Sequence, residues 1–245
     1  MIDILDMHTH TVASGHAYNT IYEMVHSAAD KGLQLLGIAD HGPAMPGSAQ
    51  AIYFSNFKML PRKIGGIRVM FGCELNILDY EGHVDLPEHI LVRQDYAVAS
   101  IHGLCYESGT AAQNTAAYIN VMKNPLIHII GHPDDARFPV DYDTLVAAAK
   151  EHHTLLEVNS NSMGPTSVRP GARDQYLIML EYCKKYRQSV IIDSDAHCEV
   201  DVGNHFRAID LLEEVGFPPE LVVNRSLEAL ADYIPKLKQL LATPD

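Results

Sequence analysis

Short runs of aliphatic and β-branched residues alternate along the chain with longer segments in which apolar positions recur every three or four residues. The first kind reads as buried strands and the second as amphipathic helices packed on them, the pattern of repeated strand-helix units around a parallel sheet. Strands are predicted over residues 2–8, 33–40, 67–75, 96–102, 127–132, 155–159 and 189–195, seven in all. Helix signals fall between them. Thr20 with Glu23 forms a capping box ahead of a segment that stops at Gly32, and Thr110 with Gln113 repeats the device. Further helices are predicted over 143–152, 172–186, 205–215 and 226–241, with Pro235 expected to kink or restart the last. The longest irregular stretches, 42–55, 76–93 and 160–171, each follow a strand, where a barrel of strand-helix units keeps its functional loops. No Pro- or Ser-rich linker divides the 245 residues, so a single domain is expected.

The polar residues that interrupt the apolar pattern keep a register with it. His8 and His10 end the first strand, His41 follows the second, and Glu74, His102 and His132 stand at the ends of the next three. Glu157 or Asn159 ends the sixth, and Asp195 with His197 the seventh. Their spacing is about the thirty residues of one strand-loop-helix unit, so a parallel barrel would collect them at one mouth. Residues two apart on a strand share a face, which pairs His8 with His10 and Asp195 with His197. By the same alternation, Ile4 and Asp6 continue the ligand face of the first strand, Leu5 and Met7 turn to the helices, and Cys73 points away from the side of Glu74. A carboxylate at the end of an apolar strand is costly unless something positive holds it, which marks Glu74 and Asp195. The other histidines ignore the period: His26, His152, His153 and His205 fall on predicted helices, His83 and His89 in a loop, His128 at a strand start. Imidazoles and carboxylates in such register are the donor set of divalent metal ions, suited to zinc and also to manganese or iron.

Composition narrows the partners. Lys and Arg number 18 against 31 Asp and Glu, a net charge of -13 with no basic run, and aromatics make up 7% with no Trp. A nucleic-acid polymer is therefore not an expected ligand. The MIDILD start has no basic flank and its apolar run is too short for a signal or membrane segment, so a cytoplasmic protein is expected. The four cysteines, Cys73, Cys105, Cys183 and Cys198, have no CxxC spacing and read as free thiols.

The motifs HTH at 8–10, ADH at 39–41, GHP at 131–133 and SDAH at 194–197 resemble those of the PHP (polymerase and histidinol phosphatase) family. The HTHTVASGHAY opening and GCELN at 72–76 look most like its stand-alone bacterial phosphatases of the YcdX type, and the resemblance spans essentially the whole chain. It implies a distorted TIM-like (β/α)7 barrel over residues 1–245, with three divalent ions, usually zinc, at the carboxyl mouth of the parallel strands. Carried over by position, His8, His10, Glu74 and Asp195 would hold one ion, His16, His41 and His197 a second, and Glu74, His102 and His132 a third, with Glu74 bridging. His16 lies in the TVASGHAY loop beyond the first strand, from which it can reach an ion displaced from the HxH pair.

The activity implied is hydrolysis of small phosphomonoesters, in which a hydroxide held by the metal cluster attacks phosphorus in line and the ions spread the developing charge. Such a cluster gives an acidic protein a positive mouth that attracts a phosphate dianion. Arg169, in the loop after the sixth strand, is the candidate phosphate clamp because guanidinium binds phosphate as a fork, and Arg173 is the alternative. Asp40, beside His41, is a candidate supporting group. Gly103 stands where similar proteins tend to carry an acid after the His102 position, which bears on substrate contacts from that loop. Histidinol phosphate, or a diester of a small nucleotide, is the alternative substrate, and a non-catalytic metal-binding module the alternative role. No membrane partner is expected, and a homo-oligomer is compatible with the sequence.

Overall fold

A computed structural model describes residues 1–242. In chain order the strands are β1 (Leu5–Asp6), β2 (Leu35–Ile38), β3 (Lys63–Ile64), β4 (Ile67–Phe71), β5 (Cys73–Asn76), β6 (Ala97–Ser100), β7 (Ile129–Ile130), β8 (Leu155–Asn159) and β9 (Val190–Asp193). The helices are α1 (Ile21–Asp30), α2 (Ala51–Ser55), α3 (Glu88–Leu91), α4 (Ala111–Met122), α5 (Tyr142–Glu151), α6 (Ala172–Tyr186), α7 (Phe206–Glu214), α8 (Leu227–Ala231) and α9 (Pro235–Ala242). The fold is α/β with parallel sheets. One sheet runs β1-β2-β4-β3, parallel except for β3, and the other runs β5-β6-β7-β8-β9, parallel throughout. Two isolated parallel bridges connect the sheets, His41 beyond β2 with Glu74 of β5, and Thr9 beyond β1 with Ala196 beyond β9.

The strands separate two apolar layers. On the outer side Met24, Val25 and Ala28 of α1 pack with Leu36, Ile38, Val69 and Phe71. On the inner side Leu5, Leu35, Met70, Tyr96, Val98 and Ile191 pack with Leu227, Leu230, Ile234 and Leu237 from α8 and α9. Both predicted capping boxes are present, Thr20 with Glu23 at α1 and Thr110 with Gln113 at α4. Pro235 restarts a helix, dividing the predicted 226–241 segment into α8 and α9.

Several expectations are corrected. The third predicted strand breaks at Gly72, where a Cβ would stand 2.7 Å from Tyr96 Cε1 and 2.7 Å from the Tyr96 carbonyl oxygen. Tyr96 crosses the interior there to donate its hydroxyl to the Met7 carbonyl at 2.6 Å. Leu5 and Met7 face this interior, which α8 and α9 close, and not the outer helical layer. The alternation fails between Met7 and His8 because the Met7 N–H donates to Asp193 Oδ1 at 2.6 Å in place of a strand partner, and the ladder stops. The first and fifth predicted strands shrink accordingly to two paired residues each. β3 and the short helices α2 and α3 lie in stretches read as irregular or unassigned. His152 and His153 follow α5, and His205 precedes α7, instead of lying on helices. The four cysteines are free, with Cys73 in the outer layer. Among the described residues no helix is long and apolar enough to cross a membrane.

Candidate metal centre

Every residue predicted to bind metal lies in one cluster at the carboxyl side of the strands, Glu74 within β5 and the others beyond strand ends. Glu74, fully buried, is at its middle. Its Oε1 is 2.8 Å from His132 Nε2, 3.2 Å from His102 Nε2 and 3.3 Å from His8 Nε2. Its Oε2 is 2.6 Å from His41 Nδ1 and 3.6 Å from His10 Nε2. Asp195 forms a second focus: Oδ1 is 3.1 Å from His10 Nε2 and 3.8 Å from His8 Nε2. His16 reaches the cluster from its exposed loop, its Nε2 standing 3.1 Å from His197 Nε2. Two nitrogens bound to one tetrahedral zinc at about 2.05 Å are separated by roughly 3.3 Å. His132 and Asp195 both adopt positive φ, 30° and 53°, which non-glycine residues hold only where surrounding contacts impose it.

A ring of hydrogen bonds sets which nitrogen each imidazole turns inward. His8 Nδ1 lies 2.6 Å from Glu157 Oε1, and the other oxygen of Glu157 accepts the His132 backbone N–H at 2.6 Å. The His102 Nδ1 donates to Asn76 Oδ1 at 2.8 Å, and the His197 Nδ1 to the Asp195 carbonyl at 3.0 Å. The Ser14 hydroxyl gives its single hydrogen to Asp40 Oδ1 at 2.7 Å, so His10 Nδ1 is the donor in its 3.0 Å contact with Ser14. With Nδ1 protonated, the Nε2 lone pairs of His8, His10, His102 and His197 point into the cluster. Buried His8 Nε2, His10 Nε2, His41 Nδ1, His102 Nε2 and Glu74 Oε2 have no hydrogen-bond partner at all. Five orphaned donor atoms converging at ligand spacing fit divalent cations, which supply the missing partner.

The electrostatics follow from the same crowding. Burial pushes the Glu74 carboxyl up, but the imidazoles of His102, His8 and His41 hold it well below the ordinary range. Asp195 is lowered likewise, burial being outweighed by His8 and Arg169. His8 and His10 move apart. Burial disfavours the charged form of both, yet Glu157 and Glu74 raise His8 while His197 and His41 push His10 further down.

Arg169 lies at the cluster, donating from Nη1 to Ser162 Oγ at 3.0 Å and from Nη2 to Asp195 Oδ2 at 3.1 Å. The alternative, Arg173, is excluded by position: its guanidinium pairs with Glu214 at 2.6 Å on the surface. A cavity of about 750 Å³ opens over His16, His41, His102, His197 and Arg169. Sequence reasoning missed Ser14 and Asn76 as orienting groups. Asn76 was within reach of it, being two residues after Glu74 on the same strand face. Asp40 acts through Ser14 on His10 and also accepts from Thr11 and Tyr53.

The PHP domain family matches residues 6–203. The chain belongs to that family. Among curated PHP-type relatives, a protein named "Probable phosphatase" from Caldicellulosiruptor bescii is 45% identical over 230 residues, covering 94% of this chain and 95% of the relative. Another "Probable phosphatase", from Clostridium botulinum (strain Okra / Type B1), is 39% identical over 240 residues, covering 97% and 98%. Among solved structures, histidinol phosphate phosphatase from Lactococcus lactis, complexed with zinc, L-histidinol and phosphate, shares the fold with a TM-score of 0.61 at 17% identity. The match covers 89% of this chain and 95% of that one. In this PHP chain the metal-type residues predicted from sequence and the family match therefore coincide in the same region.

Proposed function

We propose that this PHP chain, a hydrolase of phosphoric esters, acts on small phosphomonoesters through three divalent ions, zinc or alternatively manganese or iron. The observation that carries the reading is the set of buried, partnerless ligand atoms around Glu74, joined by the inward Nε2 lone pairs. His8, His10, Glu74 and Asp195 would hold one ion, His102, His132 and Glu74 another, and His16, His41 and His197 the third. The grouping of His8 with His10 and Asp195 at ligand distance supports the first set, while His8 with Glu74 and His132, His10 with His41 and His197, and His41 with Glu74 and His102 link neighbouring sets into one cluster. His41 lies 2.6 Å from Glu74, so the residues that would hold the second and third ions adjoin. We read the whole chain as one PHP domain on a distorted (β/α)7 barrel in which β4 and β5 together make one stave. The two bridges between the sheets favour that closure.

Ions bound there supply Lewis acidity toward a phosphoryl oxygen and toward water. The chain's own part is to fix their positions and to orient the ester. Glu157, Ser14 and Asn76 hold the imidazoles in the tautomer that presents Nε2. Arg169 is held by Ser162 and Asp195 at the cavity floor, where its fork can take a phosphoryl oxygen. Net reaction transfers the phosphoryl group to water, breaking the bond from phosphorus to the ester oxygen, and the alcohol leaves with a proton.

The test is hydrolysis of a panel of phosphomonoesters, phosphodiesters and histidinol phosphate before and after chelation. Activity on monoesters that disappears with chelator and returns with zinc or manganese is the expected result. Activity indifferent to chelation, or a strong preference for diesters, overturns the proposal. Histidinol phosphate is the second reading, favoured by the fold shared with the Lactococcus enzyme.

A further inference from the structure

We propose that the alcohol half of the substrate is uncharged and largely apolar, an aryl-alkyl or alkyl group seated against Leu104 and Val168, which deepens and rests on the phosphomonoesterase reading. The cavity of about 750 Å³ is far larger than a phosphate ion and lies in the range of pockets that enclose whole small molecules. Its floor is the metal-type cluster with Arg169. The walls above that floor include Met45, Pro46, Ile101, Leu104 and Val168, supplied by three separate loops. Leu104 and Val168 are each 74% exposed, so two large apolar side chains from different loops stand in solvent directly over the cluster. Gly103 adds no side chain to this lining.

Charge excludes the alternatives. Among the described lining residues the carboxylates are Asp135 and Asp195. Asp195 is committed to His10 and Arg169. Asp135 is only 8% exposed and is taken by Arg137, whose Nε lies 3.0 Å from each of its oxygens and whose Nη2 lies 2.6 Å from Oδ2. A cationic alcohol such as histidinol finds no free carboxylate in the described lining. The Arg137 charge is spent on Asp135 in the same way, so beyond the phosphate clamp assigned to Arg169 a second anionic group on the substrate finds no unpaired arginine in the lining. What remains for the leaving group is neutral: the apolar wall of Leu104 and Val168, beside the uncharged polar side chains of Asn161, Thr166 and Ser167.

The experiment compares benzyl phosphate, glycerol phosphate and histidinol phosphate as substrates of the zinc-loaded enzyme and of an L104S/V168S double variant. All three are alkyl esters, so leaving-group reactivity does not decide the ranking. Benzyl phosphate is expected to exceed both others in kcat/KM by about tenfold or more, an ordinary contribution for added apolar contact in a pocket. In the double variant that advantage should collapse through KM, with glycerol phosphate turnover and metal content unchanged. Histidinol or glycerol phosphate as the better substrate, or a benzyl preference untouched by the variant, overturns the inference while leaving phosphomonoesterase activity standing. Calorimetry with benzylphosphonate and methylphosphonate gives a readout that needs no turnover. Benzylphosphonate is expected to bind about tenfold more tightly. Equal affinities overturn the apolar subsite, and failure to turn over any monoester, with the benzyl preference in binding intact, overturns only the underlying activity.

Discussion

The two ends of the parallel strands are finished in opposite ways. At the amino ends, α8 and α9 lay Leu227, Leu230, Ile234 and Leu237 against Leu5, Leu35, Ile129 and Leu155, an aliphatic contact. Lys236 and His153 fasten this segment at its edge by bonds between side chain and backbone. At the carboxyl ends the chain buries imidazoles and carboxylates just as deeply and leaves several of their atoms without partners. Burying a polar group without a hydrogen bond costs about 1–3 kcal/mol in proteins. One end therefore holds the fold and the other draws on it, the division expected where loops at the carboxyl face carry the chemistry.

Substitutions at the two ends should separate these contributions. Glu74→Gln keeps the side-chain volume and removes the central charge. Its phosphatase rate is expected to fall more than a hundredfold, beyond the 10–100-fold typical of outer metal-site groups, with circular dichroism unchanged. Ile234→Ala should do the reverse, lowering unfolding free energy by about 2–5 kcal/mol in chemical denaturation while activity per folded molecule stays at the parent value. Activity lost in Ile234→Ala without loss of stability would break the contrast.

Ser14→Ala sharpens it further by changing only an orienting hydroxyl. His10 then loses the partner that fixes its tautomer, and zinc affinity is expected to weaken about 10–100-fold in competition with a chelator. Unchanged affinity would mean that packing alone sets the His10 ring. The smallest effect concerns His205, a buried histidine outside the cluster, its Nδ1 2.6 Å from Asp3 and its Nε2 3.5 Å from Asp6. Burial pushes its pKa down, but Asp6 and Asp3 outweigh burial and bring it up to about 10. A folded-state pKa above the ordinary 6.5 means a stabilisation fully present below that pH and lost as pH rises through about 10. The stability gap between the parent and His205→Gln should be widest near the lower limit and close over that window; a gap independent of pH contradicts the assignment.

The same contrast explains what could be read from the chain. Ligand-type residues broke an apolar pattern once per strand-helix unit, so their convergence needed only the period and the parallel topology. His8 and His10 were placed on the right side by an alternation that does not hold. The carboxylate of Asp193, 186 residues away, interrupts the ladder at Met7, and no local pattern carries that information. Distance in sequence also hid the role of Glu157, which the strand reading allowed as a ligand and which the fold sets behind His8 and His132. Arg169 and Arg173 are four residues apart in one segment, and only their tertiary partners, Asp195 and Glu214, separate them. β3 was invisible because two residues carry no period.

Metal content per chain tests the central claim most directly. Elemental analysis of the purified protein, loaded with zinc and freed of loosely held ions, should give three equivalents, and His16→Ala should give two with the fold intact. A parent value of one or none, or a His16→Ala count equal to the parent, would contradict a cluster built on Glu74 and extended through His16 and His197.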